Sequence, residues 1–215
     1  MHKDENVSRD NKEPIVAVVT DPETTSYGLQ LLFKSHYPDE HERTTEFFIS
    51  DNLRREIYNE MVRDRFTQLE KSDTLGFRKA LARNGTMSTY RNTSVITVIP
   101  HGDDDLWKAF RSVQAEVERI RRHGFTQGDF TRAKAAVQSK YDRDYDRLRQ
   151  YNNTDLAKIY TQHFTRGSPD LDAQEQRVIT QRLIDGISCP DVAEMWPEME
   201  RDENATVILR IPETG

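Results

Sequence analysis

The stretch FTQGDFTRAKAAVQSKYDRDY, residues 125–145, contains the clearest local signal in the chain. Thr126 can cap a helix, and Asp129 can reach back to the cap from the third helical position. Phe125 and Phe130 flank this pair at the spacing of a hydrophobic staple. Apolar residues then follow at helical intervals, at Ala133, Val137, Tyr141 and Leu148. The stretch therefore predicts where a long helix starts and which stripe it buries.

Helical spacing recurs upstream. Apolar residues every three or four positions predict a long amphipathic helix over residues 43–70. Three acids at residues 103–105 precede a second periodic segment, residues 107–120. Acids in that position suit the partial positive charge of a helix N-terminus, so we interpret them as a cap and not as a metal site.

Three shorter helices are predicted downstream. Asn153 or Thr154 can cap the first, which Gly167 can end. The second carries its apolar residues just before Gly186. The third begins at residues 188–191, SCPD, which have the spacing of a capping box with proline inside the first turn.

Strand-like segments lie at both ends of the chain and between the two long helices. They are rich in β-branched and aromatic residues, and they cover residues 15–20, about 26–33, 77–82, 86–90, 94–99 and 206–211. Asn84-Gly85 is a turn candidate between or within two of them. The element order predicts an α+β domain with helices packed on one face of the sheet.

The first and last strands must meet in one sheet, which favours a single domain over residues 14–215. Residues 1–13, MHKDENVSRDNKE, have the charged composition of a linker or an expression remnant. A signal peptide upstream in a longer parent would imply a periplasmic or secreted location. No apolar stretch in the sequence approaches the roughly 20 residues that span a bilayer.

The overall charge argues against nucleic acid as a partner. The 215 residues carry a net charge of −6 and have a pI near 5.6. A protein without a basic surface gains little affinity for a phosphate backbone from counterion release. The one cysteine, Cys189, excludes an intramolecular disulfide and a cysteine-based zinc cluster. It precedes Pro190 without a motif partner, which is typical of a small packed residue and not of a nucleophile.

The segment HYPDEH, residues 36–41, holds the residue types of a hydrolytic zinc site. Neutral imidazoles could hold the metal, and Glu40 could take a proton from its water. His36 and His41 are, however, five residues apart with Pro38 between them, so a helix could not present both on one face. We therefore interpret the segment as a surface loop.

His101, His123 and His163 are single histidines without a second ligand at metal spacing. A structural or exposed histidine is the interpretation for each of them. The residues therefore predict no catalytic, cofactor-binding or metal-ligating side chain in this chain.

Two phrases resemble the pitrilysin/insulinase family of zinc metallopeptidases, the inverzincins. VVTDPETTSYGLQLLFK, residues 18–34, is similar to the opening of the second domain of these proteins. HGFTQGDFTRAKAAVQSKYDRDY, residues 123–145, resembles a helix start of the same family at the expected distance downstream. The resemblance covers roughly residues 14–212. It implies an α+β domain of the metallopeptidase type shared with LuxS and the mitochondrial processing peptidases.

The resemblance also implies which functional residues to look for. Only the first domain of the family holds the inverted zinc motif, and this chain lacks it. The last domain supplies an arginine and a tyrosine that bind the substrate backbone, but those positions align here with Glu70 and Phe77. Arg83 and Tyr90 have the same seven-residue spacing further along, which we interpret as chance.

The resemblance therefore implies a non-catalytic second domain of the N-terminal half. It would pack on other domains of the same parent chain and form part of the wall of a peptide chamber, with zinc in the neighbouring domain. Two alternatives stay open. The chain could be a catalytically silent subunit that pairs with an active peptidase, or an independent hydrolase that uses His36, Glu40 and His41.

Overall fold

The computed structural model describes residues 10–23, 26–36, 38, 41–88, 91–148, 161, 173–195 and 202–213. In these residues the strands are β1 (Ile15–Asp21), β2 (Gly28–His36), β3 (Phe77–Ser88), β4 (Arg91–Pro100) and β5 (Ala205–Pro212). The α-helices are α1 (Glu46–Leu69), α2 (Leu106–His123), α3 (Gln127–Leu148), α4 (Ala173–Gly186) and α5 (Cys189–Ala193). The helix predicted to start at Asn153 or Thr154 falls outside the described residues.

The strands form one sheet in the order β1-β5-β2-β4-β3. β1 runs parallel to β5, and the other neighbours are antiparallel. In the centre of the sheet, Leu31 of β2 pairs with Ile96 of β4 and Val207 of β5. The last strand of the chain is therefore inserted between the first two.

The turn predicted at Asn84-Gly85 is wrong. β3 passes straight through it, with Asn84 opposite Ser94 and Gly85 opposite Thr93. The Ser94 hydroxyl donates a 2.7 Å hydrogen bond to Asn84 Oδ1, which ties the amide side chain to β4. Pairing along the whole of β4 outweighs the local turn preference, so the two predicted strands are one. β2 also starts two residues later than expected, at Gly28, and continues to His36.

The two faces of the sheet differ in burial. Along β4, Ser94, Ile96, Val98 and Pro100 are buried, and the residues between them are only half-buried. Helix α2 lies on the buried face and contributes buried side chains, namely Leu106, Ala109, Val113, Glu116 and Ile120. The predicted α+β class, with a helix-covered sheet face, is confirmed.

The described chain divides into two compact units. One comprises residues 1–36, 61–125 and 196–215 and contains the sheet and α2. The other comprises residues 37–60 and 126–195 and contains α3, α4 and α5. Within this helical unit, the hydroxyl oxygens of Tyr145 and Thr180 lie 2.9 Å apart and share a buried hydrogen bond between α3 and α4.

The predicted helix caps differ in outcome. The Thr126 hydroxyl accepts a hydrogen bond from the Asp129 amide, and the Thr126 amide donates to Asp129 Oδ2 at 2.9 Å, which is the predicted capping box. Ser188 and Asp191 form a second box at α5. The acids at residues 103–105 instead form a short 3-10 helix in which no side chain caps a backbone amide.

Candidate functional site

The histidine-rich segment lies between β2 and the start of α1. His36 is the last residue of β2, and His41 is exposed and immediately precedes the 3-10 helix Glu42–Thr44. The His41 carbonyl accepts a 2.7 Å hydrogen bond from the Thr44 hydroxyl, so the backbone of His41 helps to form a turn. Glu40 falls outside the described residues.

The other residues considered as metal ligands or nucleophiles, three single histidines and Cys189, lie at separate positions in the chain. His101 is exposed directly after β4, and His123 is the exposed last residue of α2. Cys189 is a half-buried free thiol at the start of α5. His163 lies outside the described part of the chain. Among the residues that the structure describes, no three His, Cys, Asp or Glu side chains are grouped so as to hold a metal ion.

Glu70 and Phe77, which the resemblance aligns with two substrate-binding positions, both contribute to the fold. Glu70 Oε1 accepts a 2.9 Å hydrogen bond from the backbone amide of Ala80, on strand β3. Phe77 is completely buried in the core of the sheet unit. Of the alternative pair, Arg83 is exposed on β3 and Tyr90 is not among the described residues.

A buried carboxylate on α2 binds two arginines. Glu116 is only 7% exposed and accepts hydrogen bonds from Arg65 Nε and Arg119 Nε, each at 2.7 Å. Burial raises the pKa of Glu116, but the hydrogen bonds and charges of the two arginines outweigh it, and the net pKa is lowered. An ionised, fully paired carboxylate is suited to fix α2 and not to transfer protons. The cluster leaves no local pattern in the sequence, because Arg65 is 51 residues from Glu116.

Lys134, in the helix-start phrase of residues 123–145, forms hydrogen bonds within the helical unit. Lys134 Nζ donates to the carbonyl oxygens of Asp185 and Ile187 at 3.0 and 2.9 Å. These carbonyls lie at the C-terminal end of α4, where a positive charge is favourable. The capping box places α3, and Lys134 then connects α3 to the end of α4. The capping residues and Lys134 of this phrase therefore have roles in the fold.

The sheet face opposite α2 carries a pocket of about 370 Å³. Its lining includes Gly28 and Gln30 of β2, and Gln30 Nε2 donates to Thr97 Oγ1 at 3.4 Å. Two arginines, Arg78 of β3 and Arg210 of β5, stand at its rim. No local pattern in the sequence predicts this pocket, because its residues come mainly from four strands, β2 to β5, that become neighbours only in the sheet.

Among the described strands, β1 lies at the edge of the sheet, and it has apolar side chains exposed on both of its faces. Ile15 and Val19 are 48% and 44% exposed, and Val16 and Val18 are 64% and 58% exposed. Isolated exposed apolar residues are common on monomers, but a contiguous apolar strand marks an interaction surface. Among the described residues no helix is long and apolar enough to cross a membrane.

Comparison with known proteins finds relatives at the level of structure. No protein-family model matches the sequence, and no curated protein does. The fold matches the periplasmic protease PqqL from Escherichia coli with a TM-score of 0.78 and 16% sequence identity, over 94% of this chain and 22% of that chain. The first half of PqqL, solved separately, matches with a TM-score of 0.79 and 16% identity, over 95% of this chain and 43% of that chain.

Two further structures agree. A predicted insulinase family protease from Yersinia pestis matches with a TM-score of 0.69 and 14% identity, over 94% of this chain and 43% of that chain. A peptidase M16 inactive domain from Pseudomonas fluorescens matches with a TM-score of 0.64 and 10% identity, over 96% and 45%.

The chain spans about a fifth of the full-length PqqL structure and less than half of the half-length structures. This is the share expected of one domain among several. The resemblance noted in the sequence is confirmed in the structure: the chain has the fold of a domain of the M16, insulinase-type peptidases.

Proposed function

We propose that this chain is a non-catalytic domain of a zinc metalloendopeptidase. It packs on the zinc-bearing domain of the same parent chain and forms part of the wall of the peptide chamber. The observation that carries the proposal is the match of nearly the whole chain to under half of the first half of PqqL. Such coverage fits one of several domains in a longer peptidase. The likeness to an inactive M16 domain supports the non-catalytic role.

The assignment to the second domain of the N-terminal half has two supports. One is the Asp-Pro-Glu opening at residues 21–23, which resembles the start of that domain. The other is that nearly the whole chain matches the separately solved first half of PqqL, over 43% of that structure. The structural roles of Glu70 and Phe77 argue against the last domain, whose family members use those positions for substrate.

Strand β1 is the surface that we assign to the contact with the neighbouring domain. Burying its exposed apolar side chains would be favourable, by about 25 cal/mol for each Å² removed from water. Its outer edge also offers backbone groups for pairing. A domain that is stable alone gains nothing from exposing four large aliphatic residues on one strand, whereas a domain with a permanent neighbour can cover them.

The test is to purify the chain alone and together with the segment encoded immediately upstream. Zinc content and cleavage of a mixed peptide library are measured for each. We expect neither zinc nor cleavage with the chain alone and both in the assembled pair. Zinc-dependent cleavage by the isolated chain would overturn the proposal and return attention to His36, Glu40 and His41.

A matched pair of variants tests the contact surface. Val16→Ser with Val18→Ser removes apolar area from β1, and we expect association with the upstream segment to weaken at least about tenfold. Leu81→Ser is the control, because Leu81 is 42% exposed on β3, the opposite edge strand. Association is measured by calorimetric titration. Equal losses in the two variants would exclude β1 as the specific surface.

A further inference from the structure

The pocket on the sheet face opposite α2 has a glycine, Gly28 of β2, in its lining. Glycine weakens a strand, and within a strand it often marks a place where a ligand approaches closely. Gly28 does not have the positive φ that would require glycine; Gly76 and Gly124 do. A Cβ at Gly28 would come no closer than 3.8 Å to the Cβ of Arg210. Neither conformation nor crowding demands glycine here, and its effect is to leave the pocket open.

The rim of the pocket carries two guanidinium groups. Arg210 pairs with Gly28 across the sheet, so the Arg210 side chain lies beside the position that a side chain at residue 28 would occupy. Arg78 lies at a register shift between Phe77 and Lys79, and such a bulge re-aims a side chain. Neither Arg78 nor Arg210 has a hydrogen bond or ion pair with another residue that the structure describes. Glu23 also lines the pocket, so the rim has two positive charges and one negative charge.

The size and lining of the pocket suit part of a peptide. Its volume of about 370 Å³ lies at the lower end of the range of ligand pockets, about 300 to 1,000 Å³. The lining combines the apolar residues Ile99 and Ile208 with the polar residues Gln30 and Thr97. A planar guanidinium matches a carboxylate in geometry as well as charge, and two of them at one rim favour an anionic group.

We propose that this pocket binds a carboxylate of a peptide through Arg78 and Arg210. It thereby holds an acidic side chain or the C-terminus of a peptide against this part of the chamber wall. The presence of peptide at this surface rests on the proposed function, but recognition of the carboxylate belongs to this chain alone. Gly28 keeps the pocket open for the ligand.

The experiment measures binding of labelled peptides to the purified chain by fluorescence anisotropy. Three peptides of equal length share an uncharged alanine-serine sequence. The first has a free C-terminus, the second is amidated, and the third is amidated with one central glutamate. We expect the amidated neutral peptide to bind at least about tenfold more weakly than a carboxylate-bearing one. Whether the first or the third peptide binds more tightly distinguishes a C-terminus from an acidic side chain.

Variants identify the residues responsible. Arg78→Gln and Arg210→Gln should each weaken carboxylate-dependent binding about tenfold. Gly28→Val should remove it by filling the pocket, and Glu23→Gln should strengthen it by removing a negative charge from the rim. The control is Arg83→Gln, which makes the same charge change on β3 outside the pocket.

The proposal is overturned if no peptide shows carboxylate-dependent binding up to about 1 mM. It is also overturned if Arg83→Gln weakens binding as much as Arg78→Gln, because the effect would then be one of general charge. These measurements need no zinc-bearing partner. A negative result therefore rejects the pocket without rejecting the domain's role, which zinc content and cleavage test separately.

Discussion

The two faces of the sheet use the same strands for different purposes. On the face covered by α2, Leu29, Leu31 and Phe33 of β2 are buried. On the opposite face, Gly28 and Gln30 of the same strand line a pocket. Because neighbouring residues of a strand point to opposite faces, a shift of one residue changes the role of a side chain from packing to recognition. Stability and binding should therefore be separable by substitution.

The largest effect is expected on the covered face. Leu29 is completely buried, and Leu29→Ala should lower the free energy of unfolding by about 3 kcal/mol, since it removes buried methyl groups and leaves a cavity. Urea unfolding followed by circular dichroism measures it. Leu81→Ala, on the half-exposed edge of the other face, is the control and should cost less than about 0.5 kcal/mol. Similar losses in both variants would mean that the two faces do not differ in packing.

A smaller effect is expected at Glu116, on the helix that covers that face. Glu116→Gln weakens two charge-assisted hydrogen bonds and should cost about 1 to 2 kcal/mol at pH 7. Its folded pKa is lowered below the ordinary value of 4.5, so ionised Glu116 stabilises the fold above that pH. This contribution should disappear as the pH falls below about 4.5 and through the folded pKa.

The pH series isolates this carboxylate from the others. Urea midpoints of the unmodified chain and of Glu116→Gln are compared from pH 7 down to pH 3. The two curves should converge as Glu116 becomes protonated. A constant difference over the whole range would show that the loss comes from altered packing and not from the charge of Glu116.

On the open face, Gly28→Val should leave stability unchanged or raise it by up to about 1 kcal/mol. Valine favours strands, glycine does not, and a Cβ at this position meets no close neighbour. Thermal unfolding gives the effect directly. A loss of more than about 1 kcal/mol would mean that the space around Gly28 belongs to the fold and not to a ligand.

The smallest effect concerns the rim of the pocket. Arg78→Gln should change the free energy of unfolding by less than about 0.5 kcal/mol, because Arg78 is exposed and has no ion pair within the described part of the chain. Arg83→Gln should change the free energy of unfolding by a similarly small amount. If Arg78→Gln destabilised the chain while Arg83→Gln did not, Arg78 would have a structural role at the bulge.

Local signals in the sequence were sufficient for most elements. The capping boxes at Thr126 and Ser188 are present, and the periodic segments form α1, α2 and α4. These features depend on residues only three or four positions apart, which is why the sequence predicts them.

Features that depend on distant pairing were not predictable in the same way. The register of β3 and β4 removes the expected turn at Asn84-Gly85, and the bulge at Arg78 arises from that same pairing. Lys134 donates to carbonyl oxygens at the end of another helix, at Asp185 in α4 and at Ile187 just after it. The pocket around Gly28 exists only when four strands, β2 to β5, lie side by side. A single sequence contains no direct record of such contacts.

The position of β5 between β1 and β2 has a consequence for how the chain is made. During synthesis, β1 leaves the ribosome before the other described strands, yet its only neighbour in the described sheet is the last of them to emerge. The backbone of β1 therefore stays without its β5 partner until residues 205–212 have been made. Such long-range pairing is slow to form and vulnerable to misassociation. Loss of residues 205–212 would release two strands of the sheet, one from each end of the chain.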